Sequence, residues 1–187
     1  MAVSEHKTRK EHGTLIRVVT PRPLAESAAA RYVWAAARVA LGWIFAWAFV
    51  DKLFGLGYAT PADKAWIDGA SPTEGFLANA PQGPFAGLYN DLAGAAWADW
   101  LFMIGLAGIG AALILGIGMR IAAASGALMM VLMWTAVLPP ENNPFMDDHL
   151  IYAIVLAGLA LVKAGDTLGL GRWWSNTRLA ERFPFLK

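Results

Sequence analysis

Residues 97–138 read WADWLFMIGLAGIGAALILGIGMRIAAASGALMMVLMWTAVL, two long apolar runs parted only by Gly118, Met119 and Arg120. About 20 apolar residues suffice to cross a bilayer as a helix. The runs 97–117 and 121–138 each meet that length, and so short a link makes them a tight antiparallel hairpin. Pro139 and Pro140 follow at once. Proline lacks the amide donor and clashes with the preceding turn, so the second helix of the hairpin stops there.

Working outward, a further apolar run covers Tyr32 to Phe54, broken only by Arg38 before it ends in Asp51 and Lys52, and another covers His149 to Ala164. The first is too long, and begins too late, for a cleaved signal peptide. The expected fold is therefore all-α: an integral membrane four-helix bundle, with a long, partly helical loop at residues 55–96 between the first two spans. Residues 1–31 read as a flexible basic tail, 32–165 as the transmembrane domain and 166–187 as a second tail. Hydrophobic residues make up 57% of the 187, against about 45–50% in ordinary soluble domains.

Orientation follows from Lys and Arg, which collect on the cytoplasmic side. Lys7, Arg9, Lys10, Arg17, Arg22 and Arg31 precede the first span, Arg120 lies in the short link, and Lys163, Arg172, Arg178, Arg182 and Lys187 follow the last. The other two connections hold Asp63, Asp68, Glu74, Asp91, Glu141, Asp147 and Asp148 against Lys64 alone. Both termini are thus expected in the cytoplasm, in a multi-pass protein of the plasma membrane. Trp97, Trp100 and Trp134 then fall at the outer interface and Trp173 and Trp174 at the inner one, as anchors.

The long outer loop carries two helix-start signatures, Thr60-Pro61-Ala62-Asp63 and Ser71-Pro72-Thr73-Glu74, each with a capping residue, a proline and then an acid. Phe85, Leu88, Tyr89 and Leu92 recur at helical spacing and read as an amphipathic surface helix. The loop is expected to be ordered, as a lid over the bundle's outer mouth. Within the spans, small residues at Gly108, Ala112 and Gly116, at Gly42 and Ala46, and at Ala153 and Ala157 are spaced for close helix contact, within one chain or in a homo-oligomer.

Composition also excludes chemistry. There is no cysteine, and the net charge is +1. Thiolate catalysis, thiolate metal sites and protein-held iron–sulfur clusters are ruled out, and nothing in the charge points to nucleic acid. No pair of intramembrane histidines supports haem, and no glycine-rich loop in a soluble context supports a flavin or nucleotide. No metal site is expected, because His149 has no second histidine or cysteine beside it.

Ionisable residues near the hydrocarbon tend to pair or to mark a site. Asp51 and Lys52 end the first span; Asp99 opens the second. Residues 139–152, PPENNPFMDDHLIY, place Asp148 and His149 at the head of the last span with Tyr152 one turn below. Two readings stay open for each group. Lys52 is either a snorkelling anchor or a cation at a cavity mouth, with Asp51 handling a proton. Asp148 and His149 either cap a helix or serve a quinone and relay its proton. Arg38 either snorkels inward or pairs with a carboxylate from another span.

Residues 38–55, RVALGWIFAWAFVDKLFG, resemble the opening of DoxX/DoxD membrane proteins, and residues 142–161, NNPFMDDHLIYAIVLAGLAL, resemble the start of their last helix. Together with the four-span plan, the resemblance covers about residues 30–170. It implies the membrane subunit of a thiosulfate:quinone oxidoreductase, which oxidises thiosulfate to tetrathionate, passes electrons to membrane quinone and pairs with a DoxA-like subunit. Placed on this chain by position, Lys52 would receive the thiosulfate dianion, with Asp51 handling a proton beside it. His149 with Asp148 would serve the quinone, and Tyr152 and Trp134 are the further quinone-binding candidates. A non-enzymatic membrane adaptor that recruits redox or secretory partners is the competing expectation. A transporter is less well matched, since no span is broken in mid-membrane and no internal repeat is evident.

Overall fold

The structure is a computed structural model that describes residues 3–11, 14–21 and 27–187. The bundle is built from α1 (Ala28–Phe54), and after two short helices, α2 (Glu74–Asn79) and α3 (Ala86–Asn90), from α4 (Ala96–Leu115), α5 (Met119–Ala136) and α6 (Asp148–Leu161). Two further short helices, α7 (Gly171–Ser175) and α8 (Arg178–Arg182), close the chain. α1, α4 and α5 are long and apolar enough to cross a bilayer, whereas α6 is a shorter apolar helix of 14 residues.

Each helix end has a local cause. Ser27 caps α1, its Oγ accepting from Ala30 N at 3.1 Å, and Gly55 closes the other end at φ +61, a left-handed conformation that glycine adopts without penalty. Asp147 caps α6 through Oδ1, which accepts from Leu150 N at 3.1 Å. The link between α4 and α5 is made by Gly116 and Gly118, both at positive φ.

The helices pack as two pairs, α1 with α4 and α5 with α6, with a thinner contact between α4 and α5. Close approach in the first pair rests on Gly42 and Gly110. A β-carbon on Gly110 would lie 2.8 Å from Ala46 N, and one on Gly42 would lie 2.9 Å from Leu113 Cβ. The expected ridge through Gly108 is displaced by one helical face: nothing lies within 4 Å of a β-carbon at Gly108. Leu41, Phe45, Met103, Leu106, Leu113, Leu156 and Leu159 fill the centre.

Arg38 corrects both of its expected readings. It neither reaches out to the interface nor pairs with a carboxylate, and it is 0% exposed. Its Nη1 donates to the carbonyls of Leu113 and Ile114 at the end of α4, and its Nη2 donates to those of Thr167 (3.3 Å) and Leu168 (2.8 Å) beyond α6. The last carbonyls of a helix lack intrahelical donors and carry the negative end of its dipole. A planar guanidinium, donating from both edges, answers both needs at once. The backbone is dense around it: a β-carbon on Gly116 would meet Gly165 O at 2.9 Å and Arg38 Nη1 at 3.0 Å. Leu170 N donates to Leu115 O at 2.8 Å in the same knot.

Regular elements also lie outside the bundle. Val3–Glu11 and Thr14–Pro21 pair as antiparallel strands with Glu11 opposite Thr14 and an irregularity between Glu5 and Thr8. The β-branched run Ile16, Val18, Val19, Thr20 favours that state. At the other end Trp174 Nε1 donates to Leu186 O, and Arg120 donates from Nη1 to Pro184 O at 2.9 Å.

Replacing Arg38 by Met is expected to destabilise the bundle by about 2–4 kcal/mol, because one buried and three partly buried hydrogen bonds to carbonyls are lost. Arg38→Lys should recover less than half of that, since one ammonium cannot span both carbonyl pairs. Thermal melts in detergent check this, and unchanged melting of Arg38→Met would remove the clamp from the account.

Candidate functional site

α4 and α5 leave a cavity of about 400 Å³ between them on the side facing the long loop. Leu101, Phe102, Gly105 and Ile109 of α4 form one wall, and Ser125, Leu128, Met129, Leu132 and Met133 of α5 the other. The tight Gly116–Gly118 link holds these helices together at one end only, and the loop covers the other. Pro72, Thr73, Phe76 and Leu77, with Tyr89 and Leu92, form the roof. The expected amphipathic helix is thereby divided: Tyr89 and Leu92 face the cavity, while Phe85 and Leu88 are exposed. The cavity is also open sideways, since Leu101 and Leu128, on opposite walls, are 66% and 60% exposed.

Two buried carboxylates fix the long loop, and one of them, Asp99, fastens the roof. Asp99 Oδ1 accepts from Ser71 Oγ (2.8 Å), Thr73 N (3.2 Å) and Thr73 Oγ1 (2.6 Å). Ser71 Oγ in turn accepts from Glu74 N at 3.1 Å, which starts α2. Asp51, 1% exposed, accepts from Tyr58 N (3.3 Å) and Ala59 N (3.1 Å) and sets the turn that leaves α1. Tyr89 Oη bonds Thr135 Oγ1 at 2.6 Å, tying α3 to α5.

Of the sequence candidates, only Lys52 lines the cavity, where it is the single charged side chain. Ion pairs among the described residues are confined to His149, so Lys52 has no carboxylate partner there. Asp51 faces its own turn instead. His149 Nδ1 lies 2.7 Å from Asp147 Oδ2 and 3.5 Å from Asp148 Oδ1. Its nearer partner is Asp147, a residue that the sequence reading left aside and that the N-cap position could have flagged. These three could converge on a cation, but Asp147 is occupied as a cap and Asp148 is solvated. Tyr152 packs against the core. Trp134 Nε1 donates to Phe145 O at 2.8 Å, with the two rings edge to face at 5.1 Å, so it braces the loop before α6. The candidates thus divide into Lys52 in the cavity and His149, Asp148, Tyr152 and Trp134 outside it.

Lining residues such as Gly105, Ser125 and Met129 carry no sequence signal of their own. Gly105 matters because a β-carbon there would press on Met129 Cε. Asp99→Ala should release residues 71–77 from α4 while leaving the spans intact. Amide exchange at Thr73 is expected to rise at least about tenfold, the effect of losing a charge-assisted hydrogen bond. Exchange mass spectrometry reads this directly, and unchanged protection would mean that the roof is held by other contacts.

Compared with known proteins, the chain matches the DoxX family over residues 33–139, from the second turn of α1 through the end of α5. That stretch contains Lys52, both buried carboxylates and every cavity wall, and it stops before His149. No curated protein and no solved structure matches the chain. The match spans more than half of the 187 residues, and the chain belongs to the DoxX family of membrane proteins.

Proposed function

We propose that the chain is the membrane subunit of a quinone-linked oxidoreductase, that its cavity receives the quinone, and that Lys52 is the donor that grips a quinone oxygen. Both termini are then cytoplasmic and the roofed end of the bundle is outside. The observation that carries this reading is an apolar cavity of about 400 Å³, open sideways between exposed leucines and lined by one cation, Lys52, that forms no ion pair among the described residues. Pockets of about 300–1,000 Å³ suit small ligands. A quinone is an apolar ring on an isoprenoid chain, with carbonyl oxygens that need a donor, and a sideways opening lets such a molecule arrive from the bilayer. A hydrogen bond from an ammonium is strengthened in such low-dielectric surroundings.

The same lining argues against thiosulfate entering the cavity, since a dianion loses too much hydration on apolar walls. We therefore move the dianion from Lys52, where position alone had put it, to the outer surface or a DoxA-like partner. Thiosulfate remains the donor that the family resemblance implies. Two thiosulfate ions join through a new S–S bond to form tetrathionate and release two electrons; the quinone takes up those two electrons and two protons to form quinol. His149 stays the candidate for proton handling at the roofed end on its geometry, its Nδ1 2.7 Å from Asp147 Oδ2 and 3.5 Å from Asp148 Oδ1. The competing reading, a non-enzymatic adaptor, is favoured by the exposed Tyr58, Ile67, Phe85 and Leu88 of the long loop, which suit docking of a partner.

Thiosulfate-dependent reduction of decylubiquinone by the purified protein, with co-purifying partners retained, separates the two. Activity is expected, with kcat/KM for the quinone falling about 10- to 100-fold in Lys52→Ala, the range for losing one charge-assisted bond. Gly105→Phe should block the cavity and raise KM for the quinone. If the parent neither turns over nor binds the quinone analogue, the enzyme reading fails and the adaptor stands.

A further inference from the structure

A second cavity, of about 290 Å³, lies at the opposite end of the bundle, where both terminal segments leave it. Arg31 and Trp34 line it from the first turns of α1, Lys163, Asp166 and Thr167 from the segment beyond α6, and Arg172 from α7. Three cations and one carboxylate leave two net positive charges on its lining. Topology converges them here, because they come from opposite ends of the sequence.

Basic residues at this end are expected as snorkelling, topogenic charges, but such charges spread along a rim. These three share one cavity, and among the described residues none forms an ion pair. Arg172 is held by its Nε, which donates to Asp166 O at 3.0 Å; its two terminal nitrogens make no hydrogen bond among the described residues. Lys163 sits at φ +51, a conformation uncommon outside glycine. Concentrating like charge around a cavity costs repulsion that a bound anion relieves.

The depth is also informative. Trp34 lies against α6, where a β-carbon on Gly158 would be 3.6 Å from its ring. Amphipathic tryptophans favour the level of lipid headgroups. About one turn deeper than Trp34, Arg38 holds the carbonyl of Thr167 from the same segment that lines the cavity. An anion bound by Arg31, Lys163 and Arg172 would join that segment to α1 a second time.

We propose that this cavity binds a phosphate-bearing anion, the phosphodiester of an acidic phospholipid or a free phosphate, through Arg31, Lys163 and Arg172. Native mass spectrometry of the detergent-solubilised protein with phosphatidylglycerol or phosphatidylcholine tests the lipid source. Melting with and without inorganic phosphate tests the soluble one. The probes are the parent, the double variant Arg31→Gln/Lys163→Gln, and Arg178→Gln, a basic residue near the same end but outside the cavity. Each charge near an anionic headgroup is worth about fivefold in affinity. The parent should therefore prefer phosphatidylglycerol, the double variant should lose about 25-fold of that binding, and Arg178→Gln should keep it. A melting increase with phosphate in the parent and not in the double variant, without lipid preference, assigns the site to soluble phosphate. Both replaced side chains are exposed, and if the double variant does not fold, Arg31→Gln alone should lose about fivefold. Equal lipid binding by all three proteins, with no phosphate shift, overturns the proposal.

Discussion

One guanidinium organises the end of the bundle opposite the long loop. Arg38 lies fully buried in the apolar middle of α1 and donates to four carbonyls from two separate segments. A buried cation without compensation is among the costliest groups a membrane helix can carry. Here the compensation comes from backbone oxygens that would themselves be orphaned at a helix end. Each need answers the other, so α1, the end of α4 and the chain beyond α6 are mutually dependent. The glycines around the clamp follow from the same constraint, because four carbonyls approach one side chain only where β-carbons are absent.

With that end closed, the opposite end is free to differ. α4 and α5 are joined by a link too short to let them part below, yet the loop-side halves are separated by a cavity. Its roof is held by Asp99, which accepts from backbone and hydroxyl donors, while Asp51 accepts from the backbone of the turn that leaves α1. Lys52 stands next to Asp51 in sequence but serves another purpose. One carboxylate shapes the turn, and the neighbouring ammonium is left facing apolar walls.

How much of this was legible follows from the range of the interactions. The apolar runs, the Gly118–Arg120 link and the proline stop are local features, written in composition and backbone chemistry; helices appear at all four runs within a few residues, three of them long enough to cross a bilayer and the fourth shorter. The helix-start signature at Ser71 was legible for the same reason, and its hydroxyl does accept from Glu74 N. Arg38 was visible as an anomaly, but its partners are carbonyls, which every residue has and no sequence distinguishes. Gly110 rather than Gly108 faces α1 because helix rotation is set by packing. The basic cavity was unreadable for a third reason: Arg31 and Arg172 look like ordinary topogenic charges until the fold brings them together.

The helices of the bundle are unequal in height. At about 1.5 Å per residue, α1 rises about 40 Å and α6 about 21 Å, although both border the same bilayer, whose hydrocarbon is about 30 Å thick. The lipid around this protein therefore cannot have one thickness. It meets a tall wall along α1, which favours tilt, and a low one along α6, where it must thin or give way to another protein surface. Such a mismatch is met by tilting the long helix or by thinning the bilayer beside the short one, each at a modest cost per ångström.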